Sequence, residues 1–181
     1  MDVRNYDEWL NIKEYIVEKY GRLDILINNA GGGVDIIEVA DHSKETIDQT
    51  ISLNLNSVMY GSNVFAPLFR KQQSGIVINV SSVCAKHAWK GWTVYAAVKA
   101  GVLAFSKGLY LELQPYGVRV TCLIPAQAST GFQKSSGIGE VKADLTTDDI
   151  AKAVLNICNL PNTAVVEEMT VWGIDQVCDP L

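Results

Sequence analysis

Tyr95 and Lys99 stand four residues apart in VYAAVKAG, residues 94–101. On a helix that spacing stacks the two side chains on one face, phenol beside ammonium. A neighbouring cation favours phenolate, so the pair predicts a Tyr95 pKa below the unperturbed value of about 10. A tyrosine tuned in this way trades protons with an alcohol or a carbonyl near neutral pH. Such pairs also serve packing and solubility on many helices, so the flanking residues decide between the two roles.

Those flanking residues form an alternation of strands and helices. GIVINVSS, residues 75–82, is an apolar β-branched run that reads as a buried strand ending in hydroxyl side chains. Its last residue, Ser82, precedes Tyr95 across a loop carrying His87, Trp89 and Trp92. Upstream, a strand over 23–28 runs into Asn28, Asn29, Ala30 and three glycines, where the backbone can turn tightly or approach a ligand. Asn54 opens a helical stretch within 52–70, after a short helical turn over 41–49. Further helices are expected over 6–20, 93–114 and up to Asn159. Asn5-x-x-Glu8 and Thr146-x-x-Asp149 serve as capping boxes for the first and last. Strands over 117–125 and 164–174 complete the sheet, which predicts a parallel α/β arrangement with right-handed crossovers. Leu53, Val58, Phe65 and Phe69 put more apolar surface on helix 52–70 than one sheet face needs.

The Asn28-Asn29-Ala30-Gly31 turn, Asn54, Ser82 and the Tyr95-x-x-x-Lys99 pair occur together in one order. In that order and spacing the chain resembles the classical short-chain dehydrogenase/reductase family, from Asp2-Val3 to the last strand near Ile174. The resemblance implies an α/β fold, a truncated Rossmann-like doubly wound parallel sheet in three α/β/α layers. It implies one partial NAD(P)-binding domain over 1–181, without the family's first two strands and its glycine-rich turn. That turn, G-x-x-x-G-x-G, receives the pyrophosphate at a helix N-terminus, and no such pattern occurs here. GGGVD at 31–35 follows the wrong strand and lacks the spacing. The strand over 23–28 is therefore expected at an edge, long, apolar and uncharged after Asp24.

By the same resemblance Tyr95 is the general acid/base that exchanges a proton with the substrate oxygen. Lys99 lowers its pKa and holds the nicotinamide ribose. Ser82 polarises the substrate oxygen, and Asn54 anchors a water that connects Lys99 to solvent. Ser82 could instead cap the next turn, and Asn54 could be a satisfied buried amide. Cofactor contacts fall to Asp2 and Val3 at the adenine, to Asn28, Asn29, Ala30 and Gly31 along the adenosine ribose, and to Tyr95 and Lys99. Pro125, Ala128 and Thr130 lie at the nicotinamide end, with Ala126 where the family has glycine. Residues 126–140 correspond to a substrate lid. Trp89 and Trp92 fall at the substrate pocket, and His87 either there or on the loop surface.

The implied reaction is hydride transfer between NAD or NADP and a small alcohol or ketone. Binding of the dinucleotide by these 181 residues is expected to be weak or absent. The alternatives are a non-catalytic subunit or interaction module derived from the family, and a plain α/β domain whose Tyr95–Lys99 pair is structural. A homodimer or homotetramer through helices 52–70 and 95–114 is implied as well. Composition narrows the other partners. Net charge is −5 with no basic cluster, which argues against nucleic acid. Apolar residues make up 48% without a run that would span a membrane, and no signal peptide is visible. Four scattered cysteines, Cys84, Cys122, Cys158 and Cys178, are expected to be reduced thiols in a cytoplasmic protein. With only His42 and His87, no histidine-based metal site is expected.

Overall fold

A computed structural model of the chain describes residues 1–32, 35–132, 136–137 and 143–176. Gly33, part of the 126–140 segment and Cys178 lie outside the described residues. Helix α1 spans Tyr6–Tyr20. Asn5 caps it by accepting from the Asp7 N–H, and Gly21 ends it in the left-handed region at φ 72°. Glu8 does not close the expected capping box; its carboxylate accepts from the Asp2 N–H instead, at 2.7 Å.

Strand β1 is Ile25–Asn28. Helix α2, Lys44–Ile51, runs through a π-helical stretch, Ser52–Asn56, into α3, Ser57–Gln72. Asn54 thus sits inside one long helix rather than at the start of one. Strand β2, Gly75–Val80, leads to α4, Thr93–Leu113, and β3, Val118–Pro125. Helix α5, Thr147–Cys158, carries the expected capping box between Thr146 and Asp149, and β4, Glu168–Val171, closes the chain's sheet.

The four strands are parallel in the order β1-β2-β3-β4. Because side chains alternate along each strand, one face gathers Leu26, Val77, Val118 and Val120. It packs against Trp9 of α1, Val64, Phe65 and Phe69 of α3, and Leu109 and Leu113 of α4. The other face presents Ile76, Ile78 and Leu123 to Ile157 of α5. This is the doubly wound, three-layer arrangement. The crossovers do not all share one hand, however. Strand order advances in one direction while α5 lies on the opposite face from α3 and α4, so the β3–α5–β4 connection has the opposite hand to the two before it.

Three details depart from the sequence reading. Val58, Phe65 and Phe69 are fully buried within the chain, so α3 holds no surplus apolar surface there. The β1 edge is short, four residues, and its exposed apolar side chains are Ile25 and Ile27 at 39% and 45%. In register with Ile76 and Ile78, both lie on the α5 face, beyond the cover that α5 provides. Finally, α4 with its following turn, Thr93–Tyr116, is long and apolar enough to cross a membrane by length and composition. Its Leu109 and Leu113 pack on Val118 and Val120 as in a core helix.

A buried polar network ties the layers together. The Asn28 amide donates to Asn79 Oδ1 at 2.8 Å and to Ser62 Oγ at 3.2 Å. Asn79 in turn donates to Ser106 Oγ at 3.0 Å, and Ser106 to the Val102 carbonyl. β1, β2, α3 and α4 all contribute, which fixes strand register against helix position. Asn79→Leu removes one acceptor from the Asn28 amide and the donor to Ser106 Oγ, and is expected to cost about 1–3 kcal/mol. The urea midpoint should fall with an unchanged slope; an unmoved midpoint would show that the network adds nothing net.

Candidate active site

The site forms where β1 and β2 end and α4 begins. Ser81 donates from its hydroxyl to the Lys99 carbonyl at 2.8 Å, which anchors α4 to the end of β2. One turn earlier on the helix, Tyr95 is buried beside Cys84 and Val98. Lys99 Nζ lies 5.6 Å from the Tyr95 ring centroid and donates to the Val80 carbonyl at 3.1 Å. Ser82 stands in extended backbone just beyond β2; its hydroxyl accepts from the Cys84 N–H at 3.2 Å. The predicted helix spacing therefore does bring Tyr95, Lys99 and Ser82 together.

Asn54 joins them from the π-helical stretch. Its Oδ1 accepts from the Gly32 N–H at 2.8 Å, and its Nδ2 donates to the Gly32 and Thr50 carbonyls at 3.0 Å each. Both amide hydrogens are thereby engaged, and the side chain holds the glycine turn. Helix α2–α3 needs its extra π residue here to present the amide sideways. The turn itself must be glycine. A β-carbon on Gly31 would lie 2.9 Å from Asn54 Oδ1 and 3.4 Å from Lys99 Nζ, and Gly32 adopts φ +114°.

Electrostatics differ from the sequence expectation. The Tyr95 pKa is raised, chiefly by burial and then by the nearby Cys84 sulfur, with hydrogen bonding from Ser82 opposing the rise. The Lys99 ammonium, which donates to the Val80 carbonyl and lies 5.6 Å from the ring centroid, does not reverse this. Burial also acts on Lys99, only 4% exposed, and pulls its pKa down to about 8. The Cys84 thiol is pushed up by burial, against hydrogen bonding from Ser82 and the charge of Lys99.

The residues assigned to a dinucleotide divide into groups. Val3, Asn28, Asn29 and Ala30 line one small cleft with Trp9, Ile27 and Ser57. Its volume of about 50 Å³ is far below the roughly 300–1,000 Å³ of ligand pockets. The Asn28 side chain is turned into the buried network. Asp2 lies at a separate shallow surface with Arg4, Tyr6 and Tyr60. Hydrogen bonds from Arg4 hold its pKa at about 2. Pro125 ends β3 opposite Val171, and the Ala126 N–H donates to the Val171 carbonyl. Ala128 and Thr130 follow in the connection to α5, with Thr130 Oγ accepting from the Phe132 N–H. Among the described residues no group of three or more His, Cys, Asp or Glu is placed to hold a metal.

The aromatic residues also separate. Trp92 packs on Tyr95 at 5.8 Å between centroids. His87 instead packs on Trp89 and Trp172, at 5.9 and 5.8 Å. Two participants escaped the sequence reading. Cys84 lies two residues beyond Ser82, and the sequence marks it only as a reduced thiol. Phe132 stacks on Trp92 and leans on Tyr95, yet nothing in its local sequence marks it apart from its place in the lid segment.

The Lys99 shift has a measurable sign. Unfolded Lys99 keeps its proton to about pH 10.5, folded Lys99 only to about 8. Between those values the unfolded chain holds more protons, so the Lys99 contribution to stability rises with pH, by about 3 kcal/mol over the window. Cys84 and Tyr95 act oppositely, since their raised folded values make stability fall as their unfolded forms ionise. The informative quantity is thus wild type minus Lys99→Met, from urea titrations at about pH 7.5 and pH 10. This difference should grow at the higher pH; a constant difference would mean that Lys99 titrates as if exposed.

Comparison with known proteins agrees with this geometry. The chain is 34% identical to tropinone reductase-like 2 of Erythroxylum coca, over 98% of its own length and 70% of that protein. It is 32% identical to an uncharacterized oxidoreductase of Staphylococcus aureus (strain N315), over 94% and 73%. The closed form of a serine dehydrogenase complexed with NADP+ superposes with a TM-score of 0.92 at 26% identity, covering 100% of this chain and 77% of the other. A family model described as short chain dehydrogenase matches residues 1–141, the stretch that carries Asn54, Ser82, Tyr95 and Lys99. The chain belongs to the short-chain dehydrogenase family of oxidoreductases.

Proposed function

We propose that the Tyr95 phenol is the proton-transfer group of an alcohol/carbonyl interconversion, with Ser82, Lys99 and Asn54 in support. The observation that carries this reading is the convergence of Tyr95, Ser82 and Lys99 where β2 meets α4, against a turn that admits only glycine. In the reductive direction Tyr95, kept protonated by burial, donates to the carbonyl oxygen. The Ser82 hydroxyl holds the same oxygen and stabilises the charge that develops on it. The Lys99 ammonium beside the ring favours the phenolate left behind. A pKa near 8 keeps much of Lys99 charged at neutral pH. Asn54 is a positioning residue that keeps the Gly31–Gly32 turn in place. Burial keeps the Tyr95 phenol protonated at neutral pH.

A nicotinamide dinucleotide, NAD or NADP, supplies or accepts the hydride when bound. The residues present fit its nicotinamide-ribose end. Lys99 Nζ adjoins Gly31, where a β-carbon would lie 3.4 Å from it, with Pro125, Ala128 and Thr130 on the following connection. The adenosine side, at Val3 and Asn28 to Ala30, is the small cleft already described. NADP is the ligand of the similar serine dehydrogenase. We assign the chain to the cytoplasm on its unpaired Cys84, Cys122 and Cys158. A homodimer through α3 and α4 remains the assembly that the family resemblance implies.

Two measurements test the reading. With no glycine-rich turn in these residues, the 181-residue chain should bind NADH or NADPH with a Kd above about 1 mM, or about −4 kcal/mol. Micromolar binding in a calorimetric titration would refute this. The companion reading, a non-catalytic interaction module, draws on the same small cleft and the uncovered β1 edge. It predicts no turnover even after a strand and glycine-rich turn from a relative are joined ahead of Met1. The catalytic reading predicts turnover in that assembly. There, Tyr95→Phe should lower kcat about 10²–10⁴-fold, and near wild-type turnover would defeat the assignment.

A further inference from the structure

A charged contact joins the Ser82 turn to the last strand, and proton transfer makes no direct use of it. Ser82 is the N-cap and Lys86 the C-cap of one short helical turn, Val83–Ala85. Hydrogen bonds close that turn on itself. The Cys84 N–H donates to Ser82 Oγ at 3.2 Å, the Ala85 N–H to the Ser82 carbonyl at 2.9 Å, and the Lys86 N–H to the Val83 carbonyl at 2.9 Å. With these short-range bonds made, the two ends of the turn have little freedom to move apart. What holds Lys86 therefore holds Ser82.

The Lys86 side chain reaches from this turn to β4. Its Nζ donates to Glu168 Oε1 at 2.7 Å and to Thr170 Oγ at 3.3 Å. Lys107 of α4 approaches the other Glu168 oxygen at 3.4 Å, so one carboxylate serves two cations. The bond from Lys86 is the first cause that keeps the Glu168 carboxyl below its ordinary pKa. The Lys86 and Glu168 side chains are 32% and 33% exposed, so water screens the pair only in part. The other ion pair of this loop, Lys90 with Glu38, stands at 82% and 59% exposure and has far less hold. Apolar contacts run alongside. Val83 packs with Cys122 and Ile124 of β3, and the His87 ring meets Trp172, just after β4, at 5.8 Å.

Resting on the alcohol/carbonyl reading above, we infer that Lys86 and Glu168 are positioning residues whose ion pair latches the Ser82 turn to β4 and so keeps the Ser82 hydroxyl at the Tyr95 site. The pair acts only through the turn that Ser82 and Lys86 bound. An isolated ion pair at this exposure contributes little, but Thr170 and Lys107 extend this one into a network. The expected consequence of breaking it is a more frequent local opening of the turn, with the sheet intact.

Cys84 reports on that opening. It lies within the turn, is 7% exposed and packs with Tyr95. Cys122, fully buried, stands opposite Glu168 in the β3–β4 register and reports on β4 itself. Cys158, partly exposed at the end of α5, is the reference for the reagent. The 181-residue chain is treated with iodoacetamide at about pH 8, where the thiolate reacts, and the rate at each cysteine is read by peptide mass spectrometry. Glu168→Gln and Lys86→Met should each raise the Cys84 rate about two- to fivefold relative to Cys158, with Cys122 still protected. Lys86→Arg, which keeps charge and reach, should protect Cys84 as the wild type does. Lys107→Met, which strips a cation from the same carboxylate without touching the turn, should leave Cys84 unchanged. An unchanged Cys84 rate in both latch variants, equal loss of protection in Lys86→Arg, a comparable rise in Lys107→Met, or Cys122 rising in step with Cys84 would each overturn the inference. Thiol protection is read without turnover, so the latch can fail while Tyr95→Phe kinetics stand, and the reverse.

Discussion

The grip of Asn54 on Gly32 is the interaction on which the site depends. One side-chain amide satisfies both the N–H and the carbonyl of a residue 22 positions earlier. The end of β1 is thereby fastened to the middle of the α2–α3 helix. The π-helical stretch and the glycines are the two halves of that contact. An ordinary α-helix would turn the amide elsewhere, and any side chain at Gly31 would strike Asn54 and crowd Lys99. With the turn held there, Lys99 is enclosed and has the Val80 carbonyl to meet.

That enclosure sets the chemistry. Lys99 and Tyr95 both sit where water is scarce, so burial shifts each toward its neutral form. A pair spaced for mutual activation thus becomes a protonated phenol over a lysine that ionises near pH 8. Such a tyrosine holds its proton until a neighbouring charge or a bound group favours the phenolate. Ser82 is the group that tempers the shift from the phenol side, and the same hydroxyl is available to a substrate oxygen.

The two faces of the sheet are unequally finished. The face under α1, α3 and α4 is closed by aromatic and aliphatic packing and by the Asn28–Asn79 network. On the other, α5 covers β2 and β3, while Ile25 and Ile27 of β1 remain open. The proton-transfer groups rest on the finished part, between β2 and α4. The cleft at Val3 and Asn28 to Ala30 borders the unfinished edge.

Much of this was legible in the sequence, where the physics is local. The 3.6-residue period set Lys99 one turn beyond Tyr95, apolar β-branched runs marked the strands, and Thr146 with Asp149 announced α5. The tertiary structure decided what depends on residues brought from afar. The direction of the Tyr95 shift came from how deeply Phe132, Trp92 and Cys84 bury the phenol, not from the i,i+4 spacing. The place of Asn54 inside a helix was settled by its reach to Gly32. The face taken by α5 was likewise invisible, because an amphipathic helix carries no record of which side of a sheet it will cover. Spacing along the chain fixes which side chains can be neighbours on one element; burial and hydrogen bonding between elements fix what those neighbours do.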